Sequence, residues 1–195
     1  MTKAIRWRII VLQVVAILVL AFGAGAALYA HSFITDQIHQ QLAPQQIAFP
    51  KDAASGLPAD LSQYASQQVL TGDQAHAYAE KFIALHLQEI GKGHPYSYWS
   101  GLALQTADPT VKAQDQAIAD TLFKGETLRS MLNQAWTFSV VAQIAFVAGI
   151  AMIVATLIVL GALAFEVYEM ATGKESAQIL GAAPPMTRGE PAVSR

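Results

Sequence analysis

Two long apolar runs dominate the pattern of hydrophobic and polar positions along this chain. The first covers residues 9–30, where Gln13 is the most polar side chain, and the second covers residues 140–165 and contains no charged side chain. Each run is longer than the roughly 18 residues that an α-helix needs to cross a bilayer. The pattern therefore predicts two transmembrane helices, over residues 9–30 and 139–166.

The intervening segment, residues 31–138, shows helical periodicity and no strand-like alternation. Apolar positions keep a helical period from the first span up to Pro44, and again from Gly125 into the second span. We therefore expect both spans to extend beyond the membrane, with a break in the helical pattern at Gly125. The predicted fold class is an all-α membrane protein, in which two transmembrane helices extend into an antiparallel hairpin that carries a small helical extracytoplasmic domain.

The clearest helix of this segment is expected over residues 73–91, with one apolar arc on its helical wheel. The arc contains Ala75, Tyr78, Ala79, Phe82, Ile83 and Ile90. The residues expected to face away from it are Asp73, Glu80, Lys81, Ala84 and Gln88. A shorter helix is expected over residues 59–69, and another should begin with Asp108 as its N-cap and Pro109 as its first residue. The apolar stripe of that last helix is Val111, Ile118 and Leu122.

Basic residues before the first span set the predicted orientation. Lys3, Arg6 and Arg8 precede this span, whereas residues 31–50 after it contain no Lys or Arg. Because positively charged flanks stay on the cytoplasmic side, we expect a multi-pass plasma-membrane protein with both termini cytoplasmic.

This orientation divides the chain into five predicted segments. They are a cytoplasmic N-terminus (1–8), the first transmembrane helix (9–30), the extracytoplasmic helical domain (31–138), the second transmembrane helix (139–166) and a cytoplasmic tail (167–195). The end of the tail, residues 173–195, carries the proline-containing stretch GAAPPMTRGEP and is expected to be disordered. A cleaved signal peptide would share the basic start of the chain, but its apolar region reaches only about 15 residues. We therefore expect the first span to be retained.

Two kinds of residue mark the expected contacts within the membrane. Aromatic side chains suited to the headgroup zone bracket the spans, namely Trp7, Tyr29, Trp136 and Tyr168. Small residues recur four apart and let helix backbones approach closely, namely Ala21, Gly23, Gly25, Ala27, Ala145 and Gly149. The expected partners are therefore the lipid bilayer and either a second copy of the chain or another membrane protein.

Composition excludes several classes of function. Charged residues make up 13% of the chain, against roughly 25% for an ordinary soluble domain. The net charge of -2 offers no basic surface for nucleic acid. No cysteine is present, which excludes a disulfide framework and a thiolate metal site. Nucleotide-binding and zinc-protease motifs are also absent, so no cofactor is expected.

Three residues are weak candidates for metal ligands. His86 and Glu89 lie one helical turn apart, and His94 follows in the next loop. A lone histidine on an apolar face is more often a core residue that makes one hydrogen bond. We favour that interpretation for His86.

Three aromatic residues are candidates for ligand binding. Tyr96, Tyr98 and Trp99 form one short aromatic stretch that suits a ligand pocket, the core of the small domain or contact with lipid headgroups. The structural alternatives are favoured. No catalytic residue is predicted, because no serine lies in a recognised nucleophile motif.

The stretches QQLAPQQIAFP, TGDQAHAYAEKFIALHL and LFKGETLRSMLNQAW resemble a family of short actinobacterial two-span membrane proteins of unknown function. Some members of that family carry the name of an aromatic ring-opening dioxygenase. A non-haem iron site needs two histidines and a carboxylate that converge, and the spacing of the histidines here does not supply them. The resemblance implies membrane location and architecture, and no catalytic residue.

Three functions of different classes follow from these features. The favoured one is a non-enzymatic cell-envelope protein, an accessory or assembly subunit that acts through protein contacts. The first alternative is an extracytoplasmic sensor of a small ligand that signals through a separate partner. The second alternative is a membrane-bound metal protein or enzyme that uses His86 and Glu89.

The predicted topology is testable with one cysteine. Ser55→Cys in this cysteine-free chain should react with a membrane-impermeant maleimide in intact cells, because residue 55 lies in the segment expected outside. The measurement is labelling before and after lysis. Labelling only after lysis would show that residue 55 lies inside the cell and would contradict the predicted orientation.

Overall fold

A computed structural model describes residues 3–172, which are mostly helical. Its α-helices are α1 (Lys3–Leu42), α2 (Gly72–Ala77), α3 (Ala84–Ile90), α4 (Tyr96–Gln105) and α5 (Pro109–Thr172). A π-helical segment, Tyr78–Ile83, joins α2 to α3, and we call the three together the 72–90 helix. Within residues 3–172 there is no β-strand, and a single antiparallel bridge pairs Ala48 with Gln68. The disorder predicted for residues 173–195 lies outside the described residues.

Helices α1 and α5 are both long and apolar enough to cross a membrane. Only 6% of the most apolar 18-residue window is buried in each helix. A core helix of a water-soluble protein buries its apolar surface, whereas these two helices expose theirs. The structure therefore supports the coarse prediction of a helical protein with two helices compatible with membrane spans.

Local signals locate several helix ends correctly. Helix α1 ends at Leu42, directly before the 3-10 turn Ala43–Gln45 that contains Pro44. Helix α5 begins at Pro109, and the carboxylate of Asp108 accepts hydrogen bonds from the next two backbone N–H groups, at 2.8 and 3.2 Å. The N-cap predicted at Asp108 is confirmed.

Two predicted boundaries are wrong. Helix α5 runs through Gly125 without a break, because this glycine serves packing: a Cβ atom there would collide with the side chain of Leu87. The helix expected over residues 59–69 is only the 3-10 helix Ala59–Tyr64, since the chain then extends to form the bridge at Gln68. One further prediction differs from the structure: Val111 was expected on the apolar stripe of α5, but its side chain is 44% exposed.

Contacts divide the chain into two compact units, one of them Leu20–Ile153. The core of this unit is formed by side chains from the end of α1, the loop after it, the 72–90 helix, α4 and α5. Its most deeply buried large side chains are Leu61, Val69 and Leu132. The other unit contains the beginning of α1 and the end of α5. In this unit, the side-chain oxygen of Gln13 is buried and lacks a hydrogen-bond partner among the described residues.

The buried stripe of the 72–90 helix differs from the predicted arc. Ala75, Ala79, Ile83 and Leu87 are buried at every fourth position, whereas Ile90 is 39% exposed. The π-helical segment explains this spacing, since its wider turn keeps residues four apart in line. Glu80, expected to face away, instead lies against α5.

Two leucines of α3 provide a matched test of this stripe. Leu87→Ala should cost about 2–5 kcal/mol, because it removes a buried side chain from the contact with Gly125. Leu85→Ala, at a 45% exposed position two residues earlier, should change stability by about 0.5 kcal/mol or less. Resistance to proteolysis in detergent measures both. Equal resistance of the two variants would contradict the assignment of Leu87 to the buried face and Leu85 to the exposed face of the helix.

Candidate functional site

Small residues bring α1 close to α5 within the Leu20–Ile153 unit. A Cβ atom on Gly149 would lie 2.9 Å from the side chain of Leu28, and one on Gly23 would lie 2.8 Å from the Met152 sulfur. Two alanines are buried on the same helices, Ala24 (4% exposed) and Ala142 (2% exposed). These contacts leave no room for larger side chains at the crossing.

The six residues predicted for helix packing have different environments. Gly23 and Gly149 make the close approaches, and Ala27 and Ala145 are half-buried. Ala21 is exposed, and nothing lies within 4 Å of a Cβ atom on Gly25. The sequence missed Ala24 and Ala142, because spans rich in alanine do not show which alanines face the neighbouring helix.

His31 ties α1 to α5 where the apolar part of each helix ends. Its Nδ1 lies 3.0 Å from the carbonyl oxygen of Ala142, and its ring is tilted against Phe146 with centroids 5.0 Å apart. A carbonyl oxygen only accepts hydrogen bonds, so Nδ1 of His31 carries the proton. Nε2 is then the acceptor of the neutral ring.

A polar network joins the 72–90 helix to α5. The Glu80 carboxylate accepts two hydrogen bonds from the Arg129 guanidinium, at 2.6 and 3.2 Å, and a third from the Asn133 amide. Nδ1 of His76 lies 2.9 Å from the Asn133 side-chain oxygen, and the His76 ring stacks on Trp136 with centroids 4.2 Å apart. We call these five residues the Glu80 network.

The direction of each hydrogen bond in the Glu80 network follows from its ionised end. A carboxylate only accepts, so Asn133 directs its amide N–H₂ to Glu80 and its oxygen to His76. Nδ1 of His76 must therefore donate. Arg129 and Asn133 together lower the pKa of Glu80, and the Glu80 carboxylate raises the pKa of Arg129.

The Glu80 network was not predicted from the sequence. Glu80 and Arg129 are 49 residues apart, so no helical spacing relates them. Glu80 was placed on an outward face with Lys81, although only Lys81 is exposed, where it pairs with Asp60 at 2.7 Å. The two hydrogen bonds from the Arg129 guanidinium to one carboxylate fix the orientation of the two helices. The role of the Glu80 network is therefore to orient these helices.

The candidate metal ligands do not come together. Nδ1 of His86 lies 2.8 Å from the carbonyl oxygen of Phe82, one turn earlier in the same helix. Glu89 is exposed, and His94 stacks on Tyr98 with centroids 3.9 Å apart. Within residues 3–172 no three histidine, aspartate or glutamate side chains are grouped to hold a metal ion.

The aromatic candidates have structural partners. Trp99 is 7% exposed, and its indole N–H donates to the Gly91 carbonyl at 2.9 Å. Tyr98 is in edge contact with Trp99, and Tyr96 lies against Phe123 with centroids 5.7 Å apart. Trp99 is therefore part of the core, whereas Tyr96 and Tyr98 are more than 40% exposed.

The four aromatic residues assigned to the membrane interface also differ. Trp7, Tyr29 and Tyr168 are 61–72% exposed, as a side chain in the headgroup zone would be. Trp136 is half-buried against His76. This tryptophan therefore has a packing role in the Glu80 network.

A groove with an uncharged lining lies between the end of α1 and α5. It is formed by residues from 33–47 and 128–138, and its cavity measures about 840 Å³. Apolar residues of its lining include Ile34, Leu128, Met131 and Phe138. The polar residues are Gln37, Gln40, Gln41, Gln45 and Gln134. We call it the amide groove.

Comparison with known proteins finds no relative of this chain. It matches no protein-family model, and no curated protein and no solved structure is similar to it. The resemblance to short actinobacterial membrane proteins therefore stays a prediction. The geometry of the described residues is what bears on function.

The Glu80 network predicts a dependence of stability on pH. Glu80→Gln should cost about 1–2 kcal/mol at neutral pH, because it weakens hydrogen bonds to a charged, partly buried group. The folded-state pKa of Glu80 is lowered. Its stabilisation is therefore complete above the ordinary carboxyl pKa of about 4.3 and disappears as the pH falls through the lower folded-state value.

Protease resistance in detergent at several pH values measures this effect. The difference between wild type and Glu80→Gln should shrink in acid, when Glu80 is protonated in the wild type. Lys81→Gln is the control, since its ion pair with Asp60 is exposed and should contribute little. A Glu80→Gln defect that stays constant down to the lowest pH would contradict the role of the charge.

Proposed function

We propose that this chain is a non-enzymatic cell-envelope membrane protein, an accessory or assembly subunit that binds another protein. In this proposal α1 and α5 cross the membrane as an antiparallel hairpin, both termini are cytoplasmic, and the segment between them is an extracytoplasmic domain. The exposure of the apolar windows of both helices supports the membrane placement. The basic residues before the first span support the orientation.

The amide groove is the single observation that carries the proposal. Its sixteen lining residues include no charged side chain, and five of them are glutamines. A glutamine amide both donates and accepts hydrogen bonds, so a rim of amides can pair with the backbone or side chains of a peptide. Apolar residues between the amides provide area to bury.

The chemistry of the groove favours one class of partner. An uncharged groove does not select an ion, and it favours a segment with apolar side chains and amide or hydroxyl groups. Such a segment is available on another envelope protein or on a second copy of this chain. The mass of a crosslinked product distinguishes these two sources.

The alternatives have less support from the geometry. A sensor based on Tyr96, Tyr98 and Trp99 would need a cavity beside them, but Trp99 is buried with its N–H group bonded. A metal enzyme based on His86 and Glu89 would need a further ligand, and His94 is stacked on Tyr98. These two hypotheses therefore rank below a protein-binding role.

Site-specific crosslinking tests the proposed function. A photoreactive residue at Gln41, which lines the amide groove, should crosslink to one discrete partner in intact cells. Met131→Glu should abolish that product, because a carboxylate without a partner is costly in an apolar contact. Leu104→Glu is the control, since Leu104 is also exposed and lies on α4 outside the groove.

The mass of the product identifies the partner as a second copy or a different protein. The proposal would be overturned if the otherwise wild-type chain with the photoreactive residue at position 41 gave no product. It would also be overturned if the product survived Met131→Glu. Equal loss in Met131→Glu and Leu104→Glu would also overturn it, because the contact would then not lie in the groove.

A further inference from the structure

A second groove, which we call the histidine groove, lies beside the crossing of α1 and α5. It is lined by residues from 31–39, 70–73 and 139–151, and its cavity measures about 750 Å³. Its polar lining residues are His31, Thr35, His39, Thr71, Asp73, Ser139 and Gln143. Its apolar lining on α5 is Val140, Ala142, Ile144, Val147, Ala148 and Ala151. The groove is therefore polar at one end and, apart from Gln143, apolar along the rest.

The apolar part has the dimensions of a lipid chain site. From Val140 to Ala151, α5 rises about 16.5 Å at 1.5 Å per residue. One leaflet of the hydrocarbon core is about 15 Å thick, half of the roughly 30 Å of a bilayer. Ile144 and Val147 are each 64% exposed, so the described residues leave most of both side chains uncovered. An acyl chain that follows α5 would cover them.

The polar part begins where the predicted span ends. His31 is held by Ala142, and Gly72, the neighbour of Asp73, lies against the side chain of Ser139, one turn along α5. Apart from Gln143, the lining of the groove thus changes from polar to apolar at the level of residues 139–142. An occupant must change its polarity at the same level, as a membrane lipid does between its headgroup and its chains.

The hydrogen-bonding capacity of the polar part favours one class of headgroup. When the His31 ring is neutral, its Nε2 is an acceptor, because Nδ1–H donates to the Ala142 carbonyl. The carboxylate of Asp73 is also an acceptor, and the side chains of Asp73 and His39 make no hydrogen bond within residues 3–172. Two acceptors suit a primary ammonium group, which carries three N–H donors. The N–H group of His39 suits a phosphate.

We propose that the histidine groove binds one phosphatidylethanolamine molecule. The headgroup ammonium donates to Asp73 and to Nε2 of His31, the phosphate accepts from His39, and one acyl chain lies along α5 between Val140 and Ala151. Phosphatidylglycerol lacks the cation, and phosphatidylcholine lacks N–H donors, so both bind less tightly. This inference rests on the membrane placement in the proposed function and does not depend on the protein partner.

Lipid binding by the purified full-length chain tests the inference. Native mass spectrometry in detergent, with added palmitoyl-oleoyl phosphatidylethanolamine, should show one bound molecule. The same experiment with phosphatidylglycerol or phosphatidylcholine should give about tenfold weaker binding, which corresponds to one lost charge-assisted hydrogen bond. Asp73→Asn should remove the preference for phosphatidylethanolamine over phosphatidylglycerol.

A matched pair of tryptophan variants locates the acyl chain. Ala148→Trp fills the apolar part of the groove at an exposed alanine and should abolish binding of phosphatidylethanolamine. Ala162→Trp adds the same side chain at an exposed alanine of α5 that does not line the groove, and it should bind like wild type. Both positions tolerate the added bulk because neither is buried.

Three results would overturn the inference. They are equal binding of the three lipids by wild type, unchanged binding by Ala148→Trp, and equal loss by both tryptophan variants. A dimer without bound lipid would also overturn it, since a second copy would then occupy the groove. If the cysteine at residue 55 shows the expected topology and crosslinking in the amide groove succeeds, loss of lipid selectivity disproves only the lipid site.

Discussion

Close approach of helix α5 to its neighbours is the constraint on which the rest of the structure depends. A Cβ atom on Gly72 would collide with Ser139, and one on Gly125 would collide with Leu87. At Gly149, a Cβ atom would come within 2.9 Å of Leu28. Gly125 and Gly149 lie inside α5, where each costs roughly 1 kcal/mol of helix stability relative to alanine. That cost is offset where the missing side chain lets two backbones pack closely.

The Glu80 network adds direction to this packing. Apolar contacts between helices tolerate a small rotation, whereas the fork of Arg129 on the Glu80 carboxylate has one geometry. Both side chains are about 30% exposed, so the pair stabilises the fold only modestly. Its main consequence is the register of the 72–90 helix on α5, which sets where Gly72 and Asp73 lie.

The sequence predicts the features that local chemistry determines. Apolar length identified the two long helices, Pro44 located the end of α1, and Asp108 with Pro109 located the start of α5. These signals act within a few residues of where they stand. The topology, the partner and the metal and ligand candidates involve membrane, ligand or protein contacts outside the chain, so they stay predictions.

The errors arose where distant segments meet. Gly125 was expected to break a helix, because a glycine in isolation disfavours helix, but contact with Leu87 requires it there. Glu80 was expected in solvent, because nothing near it in sequence reveals Arg129. The same limit applies to Ala24 and Ala142, which are chemically equal to their exposed neighbours and differ only in what lies opposite.

The two grooves share one wall, and this connects the proposed partner site with the proposed lipid site. Ile38 lines both cavities and is only 7% exposed, since it also belongs to the core of the Leu20–Ile153 unit. Five glutamines line one groove, whereas the histidines, Asp73 and a single glutamine, Gln143, line the other. Because a buried side chain shifts little in a densely packed core, Ile38 fixes the separation of the two grooves. A displacement of α1 at this residue would change the shape of both.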